Sequence, residues 1–302
     1  MTGSNCVSKP MRLRRSVFCV LLAVAAFAQS PKSTPTSILS PDQMRDLIRK
    51  AADNDVENDK KQRDYTYTER QEVRRLDGKG QVKSTEVKTY DVMEIYGEQV
   101  QKLVSKDDKT LSEKEARKED DKIQKLIDKR KNESESDREK RLRKEAKERE
   151  DDRQFVREVA DAYILQYVGV ESLAGRENYV IAGDPKPGYQ PIHKEAKILT
   201  KTKFRVWIDK EDSQMSKLNV ELLDTASFGL FLARLHKGAH VTIENTRVND
   251  EVWLQQHVSV KLDARIALLK DFNVDVDVTD RDYKKFRTDT KIQTLGEVAP
   301  QK

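Results

Sequence analysis

The residues best able to do chemistry in this 302-residue chain are its four histidines and a group of aspartates near the C-terminus. His236 and His240 stand four apart, which is the spacing of two zinc ligands on one helix face. A lysine and a glycine lie between them and predict a hairpin turn, in which the two imidazoles do not share a face. His193 and His257 have no carboxylate or nucleophile close in sequence, so we interpret them as isolated surface residues.

The aspartates at positions 271, 275, 277 and 280 are the second candidate, because carboxylates at short spacing bind calcium. This run lacks the turn glycine and the terminal glutamate of a helix-loop-helix calcium site, so we interpret it as the wet side of a strand. The chain also contains no Gly-x-Ser-x-Gly, phosphate-loop or dinucleotide motif. The sequence therefore predicts no catalytic residues, no metal and no cofactor, which indicates a protein that is not an enzyme.

The first 28 residues have the composition of a secretory signal peptide. Three arginines at 12–15 precede the apolar run 17–26, and Ala26 and Ala28 occupy the two positions that a signal peptidase reads. The apolar run is much shorter than the roughly 20 residues that span a bilayer. We therefore expect cleavage after Ala28 and a periplasmic location in a bacterial envelope.

Removal of this leader changes the charge and the redox chemistry of the chain. Both cysteines, Cys6 and Cys19, lie within it, so the remainder forms no disulfide. The leader carries four basic residues and no acidic ones, so its loss lowers the formal net charge from +5 to +1. Nucleic-acid binders need a net basic face, and the sequence therefore excludes that class of partner.

Residues 29–39 are small, polar and proline-bearing, which predicts a disordered leader, and residues 40–302 predict a single α+β domain. A capping box at Ser40 and Gln43 starts a helix that we expect to end near residue 54. Three weakly alternating strands follow, and their lysines and glutamates favour edge positions in a sheet. We place these strands at residues 65–75, 82–95 and 99–105.

The segment 106–153 is a balanced charge mixture, with 18 lysines and arginines against 17 aspartates and glutamates. Capping boxes at Ser112 and Ser136 predict two exposed helices, and the second gains a packing face at Phe155 and Val159. The predicted helical insertion thus covers about residues 106–160.

After the insertion, apolar and polar residues alternate with a period of two, which predicts antiparallel strands with one buried and one wet face. The proline-rich loop 184–191 is a candidate rim for a binding cleft. The run 230–233 is apolar at both parities, so we expect it to be covered or to face a ligand. We place the strands at residues 163–170, 178–181, 198–208, 215–223, 241–244, 251–267 and 272–278.

Four short motifs resemble the outer-membrane lipoprotein-sorting proteins, the LolA/LolB-like superfamily that also includes a periplasmic stress sensor. They lie at residues 175–181, 185–189, 206–212 and 250–254, and the resemblance covers about residues 41–287. It implies a curved antiparallel sheet, an unclosed half-barrel covered by helices, whose concave face binds acyl chains. The protruding charged helical hairpin departs from the compact carriers of this group.

We therefore expect a periplasmic, non-enzymatic carrier that holds a lipid or a lipoprotein acyl chain on the concave face. The alternative is an envelope sensor or interaction module, in which the charged hairpin binds a protein partner. The side of each strand that faces inward is the weakest part of the prediction, because a one-residue slip reverses it. The predicted ligand-binding residues are Val206, Ile208, Val220, Leu222, Val241, Ile243, Val258, Val260 and Leu262.

Overall fold

The structure, a computed structural model, describes residues 39–193, 195–228, 233–266 and 270–286. The predicted signal peptide, nearly all of the predicted leader and most of the apolar run 230–233 lie outside these ranges. No helix in the described part of the chain is long and apolar enough to cross a bilayer.

In these described ranges, three α-helices and a short 3-10 helix accompany the sheet. They are α1 (Pro41–Gln62), α2 (Glu113–Lys131), α3 (Glu135–Ala162) and the 3-10 helix Glu195–Lys201. The capping boxes at Ser40 and Ser112 form as predicted. The cap of α3 is Ser134, which accepts from the backbone N–H of Asp137, and not Ser136 as the sequence analysis predicted.

Helix α1 runs eight residues past its predicted end because an amide stripe continues its buried face. Asn54, Asn58 and Gln62 stand four apart and so share one side of the helix. The side-chain amide of Asn54 donates to the carbonyl of Asp212 at 2.9 Å. Those of Asn58 and Gln62 donate to the carbonyl of Trp253 at 2.7 and 2.9 Å. The apolar spacing along α1 ends near residue 54, and hydrogen bonds to the sheet hold the remaining turns of the helix.

The described residues form thirteen strands of one antiparallel sheet. The strands are β1 (Tyr65–Leu76), β2 (Val82–Ile95), β3 (Glu98–Lys106), β4 (Lys109–Thr110), β5 (Tyr163–Leu173), β6 (Arg176–Pro185), β7 (Thr202–Asp209), β8 (Met215–Leu222), β9 (Ala226–Phe228), β10 (Ala233–Leu235), β11 (His240–Val248), β12 (Val252–Ile266) and β13 (Lys270–Lys285).

The order across the sheet is β4-β3-β2-β1-β13-β12-β11-β8-β7-β6-β5, and β10 joins the short β9 to β12. The sheet is open, with β4 and β5 as its terminal strands, which confirms the predicted unclosed antiparallel architecture with helices. Two local predictions were wrong. Strand β1 is central because it pairs with β13, and residues 198–201 belong to the 3-10 helix.

One face of the sheet, called the inner face below, carries the main core. Met44, Ile48 and Ala51 of α1 and Phe155 and Val159 of α3 are buried against apolar residues of β5 to β8. The packing is tight enough to require a glycine: a Cβ on Gly183 would lie 2.3 Å from the ring of Phe204. The helices thus cover the β5–β8 half of the inner face.

Candidate functional site on the inner face of the sheet

The strand register places the nine predicted ligand-binding residues on one face. In an antiparallel pair, directly opposed residues point to the same side. The register opposes Val206 to Leu218 and Ile243 to Leu218, and it opposes Ile243 to Val258. Alternation along each strand then brings the other members to this side. Their position on the inner face is an observation, and their role in binding stays a prediction.

Five strands contribute directly opposed valines to a row across the inner face, called the valine row below. The register links Val220 to Val241, Val241 to Val260, Val260 to Val276, and Val276 to Val73. Neighbouring strands lie about 4.8 Å apart, so the row is roughly 19 Å long. Apolar residues flank it on both sides, with Leu218, Ile243, Val258 and Val278 in one neighbouring row and Leu262 and Val274 in the other.

The valine row leaves the helical cover as it crosses the sheet. Val220 packs against the edge of the main core. Val241 is buried, whereas Val260, Val276 and Val73 are only partly buried. Among the nine predicted residues, five are buried, namely Val206, Ile208, Leu222, Val241 and Val258. The other four are only partly buried, namely Val220, Ile243, Val260 and Leu262.

Val73 and Val276 were missing from the predicted site. Val276 has the right alternation, in a strand where Val274 and Val278 share its parity. Val73 lies in a strand that we predicted at the edge of the sheet. Only the pairing of β1 with β13 brings its side chain next to Val276. A sequence signal therefore existed for Val276, whereas none existed for Val73.

The inner face becomes polar where β1, β2 and β3 meet. Gln71 and Gln101 donate to the carboxylate of Glu69, the latter at 2.7 Å, and Gln255 donates to that of Asp280 at 3.1 Å. Asp280 is 2% exposed, so its predicted place on the wet side was wrong, while Asp275 and Asp277 lie on the opposite face. Burial, followed by the charge of Glu69, raises the pKa of Tyr90 to about 12.

Two shallow cavities among the described residues are lined mainly by polar and charged residues. One of about 240 Å³ lies beside the β1–β2 turn and is lined by Leu76, Asp77, Gly78, Gly80, Gly238, Lys261, Leu262, Asp263, Asn273 and Asp275. The other, of about 400 Å³, is lined by Asn54, Glu57, Asn58, Lys61, Asp212, Gln214, Arg247, Asp250, Glu251 and Trp253. Leu262 alone of the nine predicted residues lines either cavity.

Three of the four motifs that carry the family resemblance, 175–181, 206–212 and 250–254, converge at one end of the sheet, and the fourth begins at the other end of β6. Arg176 donates two hydrogen bonds to Asp209, at 2.7 and 2.8 Å, and its guanidinium lies 5.6 Å from the ring centroid of Trp253. The indole N–H of Trp253 donates to Asp212 at 2.8 Å. Asn58 closes the cluster by bonding to both backbone groups of Trp253. Each group has a partner within the protein, so the cluster joins α1 to two strand turns.

The histidines lie apart and do not form a metal site in the described residues. His236 and His240 flank the β10–β11 turn, and burial lowers the pKa of His240. The interpretation of the other two as isolated was wrong. His193 contacts Glu158 at 2.7 Å and His257 contacts Asp277 at 2.8 Å, carboxylates that are distant in sequence.

Glu158 holds the proline-rich loop against α3. Its buried carboxylate accepts from the backbone N–H of Ile192 at 2.6 Å and from the imidazole of His193, and the hydroxyl of Tyr189 lies 3.3 Å away. Although burial opposes ionisation, these bonds hold the pKa of Glu158 below its usual value. The loop is fixed to the helix, and its role as a rim stays a prediction.

No family model matches the chain, and no curated protein matches it. Among solved structures, it resembles a putative outer membrane lipoprotein-sorting protein domain from Vibrio parahaemolyticus, with 12% identity and a TM-score of 0.32 over 81% of this chain and 95% of that one. It also resembles a LolA superfamily protein from Nitrosomonas europaea, with 9% identity and a TM-score of 0.27 over 80% of this chain and 93% of that one. The Pseudomonas aeruginosa MucA/MucB complex matches with 12% identity and a TM-score of 0.21 over 78% of this chain and 92% of that one. The first two descriptions name the group that the motifs resemble, at a distance that assigns no function to this chain.

Proposed function

We propose that this chain is a non-enzymatic binding protein of the bacterial envelope that holds an acyl chain, from a lipid or a lipoprotein, along the valine row. The observation that carries the proposal is the row itself: five opposed valines with apolar rows on both sides. The part formed by Val260, Val276 and Val73 lies beyond the main core and is only partly buried. The predicted signal peptide supports the envelope location.

The part of the row beyond the helices, from Val260 to Val73, spans two strand spacings, or about 10 Å. An extended chain of about eight methylene groups matches this length, and each methylene group removed from water contributes roughly 0.8 kcal/mol. These contacts contribute roughly 6 kcal/mol against an association cost of about 4 kcal/mol. A micromolar Kd therefore requires further contacts of the ligand outside the row.

The experiment compares two neighbouring residues on opposite faces of β12. Val260→Lys places a charge in the row, and we expect it to weaken the binding of a fluorescent fatty acid at least 100-fold. Ser259→Lys adds the same charge to the other face and should leave the affinity unchanged. Val260→Phe keeps the face apolar but fills the row, and it should also weaken binding if Val260→Lys proves unstable.

The proposal fails if the wild-type protein shows no saturable binding and if native mass spectrometry of protein purified from its own envelope finds no bound lipid. Equal effects of Val260→Lys and Ser259→Lys, in variants with wild-type thermal stability, would place the ligand elsewhere.

The alternative, a partner-binding hairpin, makes a different prediction. Helix α2 has no buried residue and Leu142 of α3 is 44% exposed, so these helices present a large surface. Charge reversal on the outer side of α2, for example Arg117→Glu with Lys125→Glu, should leave fatty-acid binding intact. If a protein partner from the envelope is instead lost while lipid binding is absent throughout, the hairpin is the working surface.

A further inference from the structure

The inner face carries a cation next to the valine row. Arg75 is directly opposed to Val274, and it lies two residues beyond Val73 on the same strand. Residues two apart on a strand point to the same side and are about 6.7 Å apart. The guanidinium of Arg75 is therefore within reach of one end of the row.

The neighbouring arginines of β1 show how unusual this cation is. Arg70 and Arg74 face the opposite side, and both pair with Glu72, at 3.0 and 2.6 Å. Arg70 also pairs with Asp108 at 3.0 Å. Arg75 is exposed, and its side chain forms no hydrogen bond or ion pair with any described residue. The strand thus neutralises its two outward cations and leaves the inward one without a counter-ion.

The charges around Arg75 do not supply that counter-ion. Lys88, which lies opposite Gln71 on the inner face, pairs with Glu86 at 2.6 Å. The carboxylate of Asp77, in the adjacent turn, accepts from the backbone N–H groups of Lys79 and Gln81 at 2.8 and 2.9 Å. The carboxylates of Glu86 and Asp77 are therefore already bonded to other groups, and neither forms an ion pair with Arg75.

We propose that Arg75 binds the anionic end, a carboxylate or a phosphate, of the amphiphile whose chain lies along the valine row. This inference rests on the proposed function and adds the head-group chemistry to it. A guanidinium presents two parallel N–H groups that match carboxylate and phosphate oxygens.

The test uses three ligands with the same twelve-carbon chain, below their micellar concentrations: dodecanoate, dodecyl phosphate and dodecanol. A bidentate charge-assisted bond is expected to make either anion bind about 10- to 100-fold more tightly than the alcohol. Arg75→Gln should remove this preference and leave the affinity for dodecanol unchanged. Comparison of the two anions distinguishes a carboxylate source from a phosphate source.

Arg74→Gln is the matched control, since it removes the adjacent positive charge from the opposite face. The inference is overturned if wild type and Arg75→Gln bind all three ligands equally, or if Arg74→Gln abolishes the preference as fully as Arg75→Gln does. Binding of dodecanol in those outcomes leaves the proposed function standing. If wild type binds none of the three ligands, the proposed function fails with it.

Discussion

Asp209 shows how a buried charge is held at the end of the sheet. Its side chain has no exposed surface, and it pairs with Arg176 at 2.7 Å. The backbone N–H groups of Glu211 and Asp212 also donate to it, at 3.0 and 2.8 Å. Burial alone would favour the neutral acid, but these bonds hold its pKa below the usual value. The carboxylate therefore organises the β7–β8 turn while it is ionised.

We expect Asp209→Asn to lower the free energy of unfolding by about 3–5 kcal/mol at pH 7, because it leaves Arg176 without its main partner. Glu211→Gln is the control: that carboxylate contacts the same arginine at 3.0 Å but is 78% exposed, so its loss should cost less than about 1 kcal/mol. Urea titrations measure both. Equal effects of the two substitutions would contradict the structural role assigned to Asp209.

The same pair has a defined pH dependence. A carboxyl group with a lowered pKa in the folded state stabilises the protein above its unfolded pKa, about 3.9. This stabilisation is lost as the pH falls through the folded value. The difference between wild type and Asp209→Asn should therefore be constant between pH 5 and 7 and should shrink below about pH 4. A difference that persists unchanged at pH 3 would exclude ionisation as its cause.

Alternation along each strand was enough to predict which side chains share a face. Val241 and Ile243, for example, lie on the predicted side because polar residues separate them. The alternation could not show that Arg75 lacks a counter-ion, since the partners of Arg70 and Arg74 were equally invisible in sequence. The error for Asp280 came from grouping it with Asp275 and Asp277, because its parity is that of Val276 and Val278 and places it on the inner face.

At the scale of elements, α1 is joined to the sheet by amides as well as by apolar residues. Asn58 is 4% exposed and bonds to both the carbonyl and the N–H of Trp253, at 2.7 and 2.8 Å. It thereby satisfies two backbone groups of β12 that α1 shields from water. Such groups are costly to leave unpaired.

We expect Asn58→Ala to lower the free energy of unfolding by roughly 2–4 kcal/mol, because a donor and an acceptor lose their partners. Glu57→Ala, at an exposed position of the same turn, should change it by less than about 0.5 kcal/mol. Thermal or urea unfolding distinguishes these cases. An Asn58→Ala variant as stable as Glu57→Ala would mean that the amides do not hold the helix end.

Three ion pairs attach the charged hairpin to β3, and their order along α2 is the reverse of their order along β3. Lys106 pairs with Glu115 at 2.9 Å, Lys102 pairs with Asp120 at 2.6 Å, and Glu98 pairs with Arg130. Positions along β3 thus descend as positions along α2 rise, so the two elements run antiparallel. The side chains of Glu98 and Arg130 are 13% and 12% exposed, which makes this the most shielded of the three pairs.

Arg130→Ala should therefore loosen α2 selectively. We expect amide hydrogen exchange in α2 to become about 10- to 100-fold faster, since a shielded charge pair is removed. Arg117→Ala removes the ion pair between Arg117 and Glu113, whose side chains are 79% and 91% exposed. This variant should have little effect on the exchange. Unchanged exchange in Arg130→Ala would show that the hairpin is held by other contacts.

Capping boxes made the helix starts predictable, whereas the sheet order was not. Local sequence patterns do not predict that β1 pairs with β13, which lies about 200 residues later in the chain. The polar side chains of β1 suggested an edge strand, but on one face they form the ion pairs of Arg70, Glu72 and Arg74. On the other face they form the buried amide cluster around Glu69. A central strand can thus be rich in polar residues when they find partners within the strand itself and on β3 and the β3–β4 turn.

At the scale of the whole molecule, the inner face has two parts that differ in their cover. Over β5 to β8 it is closed by α1, α3 and the 3-10 helix. Across β12, β13 and β1 the valine row is only partly buried, and it ends beside Arg75. The predicted apolar trough is thus shorter than the whole sheet, and a ligand would occupy the part beyond the helices.

The most direct test of this account locates the ligand. Both native cysteines precede residue 29, so protein produced from residue 29 onward carries a single thiol when Val260→Cys or Ser259→Cys is introduced. Each thiol is labelled with a small fluorophore, and a nitroxide-bearing fatty acid is added. The account predicts saturable quenching at position 260 and little at position 259. Equal quenching at both positions, or none at either, would contradict it.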